Sequence, residues 1–131
     1  MVTPANEIEI RGRRRLNETP FRLEIGRKYR FDASGRWTDL IRRASATGYS
    51  ACYLRWFERW RRMPEAKWFS VIGQIDDLED TQFDIGELIE NRENRSLYEA
   101  TATGVLHCFA NDISFMYWNN RGAINLRVEE L

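Results

Sequence analysis

The fold class this chain predicts is all-β, a β-sandwich with one short amphipathic helix inserted. Three observations carry that expectation. Short segments alternate apolar and polar residues with period two, the signature of a sheet with one wet face. Turn residues punctuate these segments at short intervals. One stretch alone, 50–63, changes to a helical period and then meets a proline. The chain has 131 residues, 43% of them hydrophobic and 13% aromatic, so a buried core is within reach and 1–131 reads as one domain.

The elements follow in order. Ile8 and Ile10 alternate with Glu7 and Glu9, predicting a strand over 6–10. The run Arg11-Gly12-Arg13-Arg14-Arg15 reads as a solvated edge or turn, making 1–19 an N-terminal strand with an Arg-rich edge. Phe21, Leu23 and Ile25 alternate with Arg22 and Glu24 in a second strand, and Gly26-Arg27 is a turn. A third strand spans 28–37, with Tyr29, Phe31 and Ala33 on one face. Residues 38–50 read as a loop. Over 50–63, Tyr53, Trp56, Phe57, Trp60 and Met63 share one helical face and arginines fill the other, with Ser50 as cap and Pro64 as stop. Such a helix plugs one end of a sheet core, or serves as a calmodulin-target or membrane-surface helix. Residues 68–75 form a nearly continuous apolar strand, 76–80 an acidic turn, 83–86 a short strand and 88–95 an irregular polar segment. Strands over 97–101, 105–110 and 123–128 complete a set of about eight.

Charge excludes several classes. Lys and Arg number 20 and Asp and Glu number 20, so the net charge is zero, which argues against a protein that coats nucleic acid through bulk charge. The average hides an asymmetry: residues 1–75 carry a net +8 and residues 76–131 a net −8. Eighteen of the basic residues are Arg. No apolar run reaches the roughly 18 residues of a membrane span. The first residues lack the basic and apolar regions of a secretory signal, so the expected location is cytoplasmic, with release by a non-classical route left open. Cys52 and Cys108 lie in apolar settings and read as buried reduced thiols. His107, the one histidine, neighbours Cys108 on a strand and so faces the opposite way, which excludes a nucleophile pair.

One segment stands apart, from Phe109 to Gly122. It holds the carboxylate Asp112, the carboxamides Asn111, Asn119 and Asn120, and several loop carbonyls between two strands. Hard cations such as calcium take six to eight oxygen ligands at about 2.3–2.6 Å, and a loop that doubles back can converge such oxygens on one point. The same Asn-Asn-x-Gly run also makes an ordinary hairpin turn, with Asn in left-handed conformations.

These residues resemble the carboxy-terminal site of the LecA (PA-IL) family of calcium-dependent, galactose-binding bacterial lectins. Asn111-Asp112 at a strand end and Asn119-Asn120-Arg121-Gly122 before the last strand match that family's pattern with the same intervening length, and Tyr117 matches an aromatic in the loop. Upstream, Tyr29 to Asp39 resembles a calcium-facing strand and loop, and Val71-Ile72-Gly73 a strand end. The resemblance implies a jelly-roll-like β-sandwich (galactose-binding-domain-like) with Ca2+ at one end. It implies side-chain ligands from Asp112, Asn119 and Asn120, a backbone carbonyl from Met116, and a ligand at Asp39, where a carboxylate adds a second negative charge. Asp112, the backbone of Ile113 and Asn119 would hydrogen-bond the sugar, whose neighbouring hydroxyls complete the coordination. Family glycines are replaced by Phe115 and Trp118, rings that either stack on a sugar or close the pocket. The family's His and Gln contacts have no counterpart in the Arg- and Trp-rich stretch. Its lectins are oligomers, which implies a homo-oligomer here.

The expected function is therefore calcium-dependent binding of a galactoside-type carbohydrate by a non-catalytic domain, with no carboxylate pair placed as acid and nucleophile. The alternative is an intracellular interaction or regulatory domain that keeps the fold without the sugar. A third reading, binding of nucleic acid or an anionic surface through Arg11–Arg15 and the arginines of the expected helix, is disfavoured by the acidic half.

Overall fold

The computed structural model describes residues 7–39, 42–49, 60–91, 97–113 and 117–131. The elements run β1 (Glu7–Arg11), β2 (Asn17–Leu23), β3 (Lys28–Asp39), β4 (Arg42–Ala44), β5 (Val71–Ile75), β6 (Leu78–Asp84), α1 (Ile85–Glu90), β7 (Tyr98–Glu99), β8 (Gly104–Ala110) and β9 (Asn120–Glu130). They form two antiparallel sheets: β1-β9-β3-β4, with β7 paired to β3, and β2-β8-β5-β6. The molecule is an all-β sandwich. Both sheets draw strands from both halves of the sequence, so the opposed charges interleave in space, as in the Lys67–Glu90 pair at 3.0 Å.

The spine of the first sheet is the pairing of β3 with β9, continuous from Tyr29↔Glu130 to Asp39↔Asn120. Period two decides which residues meet inside. Phe31 and Trp37 of β3 and Ile124, Leu126 and Val128 of β9 are buried, while Asn125 and Arg127 between them and Arg121 and Glu129 to either side are exposed. From the second sheet, Leu23, Val71, Ile75, Leu106 and Cys108 close the same core. Cys108 is fully buried and free, and burial pushes its thiol pKa up. His107 lies on the other face near Glu18, as neighbours on a strand must. Cys52 lies outside the described residues.

The second sheet is covered on its outer side as well, which explains why 68–75 reads as unbroken apolar sequence. Ile72 and Phe109 point away from the central core and pack with Ala66, Tyr117 and Met63. Strand geometry begins only at Val71. Trp68 instead bridges Tyr49, and Phe69 takes a positive φ of 61°.

Several expectations need correction. The helix over 50–63 falls outside the described residues up to 59. Its last part, 60–63, is not α-helical: Arg61 forms an isolated antiparallel bridge with Ile113, and the Arg62 N–H donates to the Asp112 carbonyl at 3.0 Å. Trp60, assigned to the apolar face, is 48% exposed. The cause is a competing partner, since the buried amide of Asn111 captures both the N–H and the carbonyl of Met63. The loop expected at 38–50 contains β4, and β3 runs on to Asp39. β2 begins at Asn17 rather than 21, because the buried Asn17 side chain bonds the Arg11 backbone and the Cys108 carbonyl. Pro20 is tolerated there because β2 is an edge strand. The acidic turn narrows to 76–77, since Leu78–Asp80 already belong to β6.

The helix α1 occupies a place expected to be strand end and irregular segment. Asp84 caps it, accepting from the Glu87 N–H at 3.1 Å while Ser70 Oγ donates to the same carboxylate. Gly86 is required at this point, because a Cβ there would stand 2.0 Å from Ser70 Oγ and 2.6 Å from the Ala46 carbonyl. Among the described residues, no helix is long and apolar enough to cross a membrane.

Candidate calcium and saccharide site

β8 ends at Ala110, and the chain then loops to a 3-10 turn at Tyr117–Asn119 before β9 begins. The start of this loop is clamped from three directions. Asn111 is fully buried, and its backbone exchanges bonds with Phe69 and Ser70 at 2.9 and 3.0 Å. Its Nδ2 donates to the carbonyls of Met63, Ala66 and Lys67 at 2.9, 3.2 and 3.0 Å, and its Oδ1 accepts from Met63 N at 3.0 Å. One side chain thus fastens the 63–67 turn to the end of β8.

Arg62 braces the same loop. Its guanidinium carbon lies 3.5 Å from the centroid of the Phe109 ring and 5.5 Å from that of Tyr117. Its Nη1 donates to Tyr117 Oη at 3.1 Å and to the Arg15 carbonyl. Tyr117 Oη in turn donates to the Ala110 carbonyl. Burial pushes the Tyr117 phenol up to about 12, against an opposing pull from Arg62. The folded state therefore keeps a proton that the unfolded chain releases near pH 10, so stability falls as pH rises from about 10 to about 12. The expected slope from this group is at most about 1.4 kcal/mol per pH unit. Urea unfolding between pH 9 and 12 checks it: Tyr117→Phe should flatten part of the alkaline loss, leaving the shares due to Cys108 and Tyr29, which burial also raises. An unchanged slope would contradict the assignment.

The proposed ligands are placed as follows. Asp112 is 3% exposed, and its Oδ1 accepts from the Ile113 N–H at 2.7 Å. Asn120 is fully buried at the first position of β9. Its Nδ2 donates to the Gly12 carbonyl at 2.9 Å, and its Oδ1 is sealed from solvent without a hydrogen-bond partner among the described residues. The backbone of Asp39 lies directly opposite Asn120 across the β3–β9 ladder. The backbone of Asn119 sits in the 3-10 turn. The side chains of Asp39 and Asn119, and all of Met116, fall outside the described residues. Ile113 is half-buried, and Trp118 is 66% exposed, so its ring face is open to solvent.

Beside Asn120 lies a concavity lined also by Glu9, Arg11, Arg13, Arg121 and Gly122. Gly122 has a φ of 79°, which glycine adopts readily, and its carbonyl accepts from Gly12 N at 3.1 Å. This bond and the Asn120–Gly12 bond hold the Arg11–Arg13 corner against the start of β9. The solvated edge or turn expected at Arg11–Arg15 is present, with every arginine exposed and a turn at 12–13, but its attachment to β9 was not expected. Sequence reasoning also passed over the clamp made by Asn111, whose position at the strand end was the available signal.

The donor chemistry fits a hard cation. The candidate set consists of oxygens alone, and the unpartnered Asn120 Oδ1 is a buried acceptor of the kind a cation satisfies. Among the described residues, no group of three or more His, Cys, Asp or Glu side chains could hold a metal. The second carboxylate of the candidate set, that of Asp39, lies outside the described side chains.

No protein-family model matches the chain, and no curated protein matches it in sequence. Among solved structures, one that shares this sandwich fold is titled "EclA N-terminal domain; PllA-like lectin". The match covers 95% of this chain and 95% of that chain, with a TM-score of 0.67 and 14% identity.

Proposed function

We propose that this domain binds a galactoside-type carbohydrate through a calcium ion, without catalysis, as members of the LecA (PA-IL) family do. The observation that carries the reading is the Asn120 carboxamide, whose buried Oδ1 has no partner among the described residues, at the end of the loop that also buries Asp112. Asp112, Asn119 and Asn120 would hold the ion with the carbonyl of Met116 and a ligand at Asp39. When bound, calcium supplies a hard centre with open positions for two neighbouring sugar hydroxyls. Asp112, Asn119 and the Ile113 backbone orient those hydroxyls. The exposed Trp118 ring offers an apolar face on which a sugar ring can stack. Assembly as a homo-oligomer would multiply a weak single-site affinity. The lectin-like fold of the comparison structure supports the reading at the level of architecture.

Melting the chelator-treated protein with and without calcium tests it. A ligand at one hundred times its dissociation constant stabilises the fold by about 2.7 kcal/mol, which raises the melting temperature measurably. Asn119→Ala should remove most of that rise while leaving the melting temperature without calcium unchanged. Equal calcium response in wild type and Asn119→Ala would show the site to be misplaced.

A further inference from the structure

The concavity beside Asn120 has a charge that the calcium site does not require. Arg11 is neutralised locally, since its Nε lies 2.8 Å from Glu9 Oε1. Arg13 and Arg121 line the same concavity, are exposed, and have no ion pair among the described residues. The Gly12–Gly122 and Gly12–Asn120 bonds tie the backbone beside Arg13 to the strand carrying Arg121. The two guanidinium-bearing residues therefore belong to a built wall rather than to a free arm. Asn120, a proposed calcium ligand, borders the same concavity, so the two arginines stand beside the proposed ion site. A sugar that places hydroxyls on that ion and also reaches these two arginines presents hydroxyls at one edge and a negative charge at the other.

We infer that the saccharide recognised here is acidic, a uronic acid or a sulfated galactoside, with its anionic group held by Arg13 and Arg121. This rests on the carbohydrate reading above and names the ligand class for the same site. Guanidinium groups pair with carboxylate and sulfate oxygens through parallel hydrogen bonds, which gives direction as well as charge. Both arginines are exposed, so the gain is sensitive to salt.

Calorimetry with calcium present, comparing galacturonic acid with methyl galactoside at low salt, tests the inference. The expected result is at least about tenfold tighter binding of the acidic sugar, shrinking as salt is added. In the Arg13→Gln/Arg121→Gln double variant the two sugars should bind equally, with calcium affinity and melting temperature retained. Methyl galactoside binding as tightly as galacturonic acid in the wild type would overturn the inference and leave the carbohydrate reading standing. Binding of neither sugar would overturn both. Inorganic sulfate competing as effectively as the acidic sugar would also overturn it, by showing a simple anion site.

Discussion

Asn111→Ala should destabilise the domain by about 3–5 kcal/mol. The side chain is fully buried and makes four hydrogen bonds to the 63–67 turn, three as donor and one as acceptor. Removing it takes their side-chain partner from the Ala66 carbonyl and the Met63 N–H, while the Met63 and Lys67 carbonyls keep the N–H groups of Ala66 and Ser70, and an unsatisfied buried group costs about 1–3 kcal/mol. The sum is limited because the turn can relax towards solvent. Asn111→Asp should cost at least as much despite its nearly identical shape. A carboxylate offers only acceptors to three carbonyl oxygens. Chemical denaturation measures both variants, and a loss under 1 kcal/mol for either would contradict the clamp. Because the clamp also fixes the start of the loop carrying Asp112, a folded Asn111→Ala protein should bind calcium more weakly than wild type.

Asp112→Asn should lower calcium affinity on the order of a hundredfold, the largest effect expected of any single change at the site. The substitution keeps the side chain's volume and one oxygen while removing the negative charge. Its stability cost should be small, because Asn can still accept the Ile113 N–H that now bonds Oδ1 at 2.7 Å. Calorimetric titration of calcium separates the two effects from those of Asn111→Ala. An affinity within threefold of wild type would remove Asp112 from the ligand set.

The parts of the fold that sequence disclosed share one physical property. β1, β3, β8 and β9 each alternate burial along the strand, so Ile10, Phe31, Cys108 and Leu126 announce their faces locally. What escaped is held by distant partners. β4 is three residues long, too short for any period to register, whereas the strand expected over 97–101 is present as the two residues of β7. β2 is lengthened by Asn17, whose bond partner Cys108 is 91 positions away. The apolar spacing that predicted helix through Met63 was overridden at its end by Asn111, 48 positions distant. For α1 a local signal did exist, since Asp84 followed by Glu87 is the spacing of a capped helix start.

The same division runs through the site. Asp112 and Asn120 were legible as hard oxygen donors on a loop between strands, and both are buried at its two ends. The roles of Asn111 and Arg62 were not, because a carboxamide and a guanidinium can clamp, brace or bind, and only the surrounding carbonyls and rings decide among these. The wall made by Arg13 and Arg121 depends on the bond from Asn120 to Gly12, across 108 positions of sequence. No local pattern encodes that.

Calcium-dependent sugar binding is the central claim, and calorimetry on the full chain tests it most directly. Calcium is titrated into chelator-treated protein, and a galactoside is then titrated into the calcium-loaded and calcium-free forms. The account predicts saturable calcium heat at one site per chain, followed by sugar binding in the loaded form alone. Absence of calcium heat, or sugar binding that is equal with and without calcium, would contradict it.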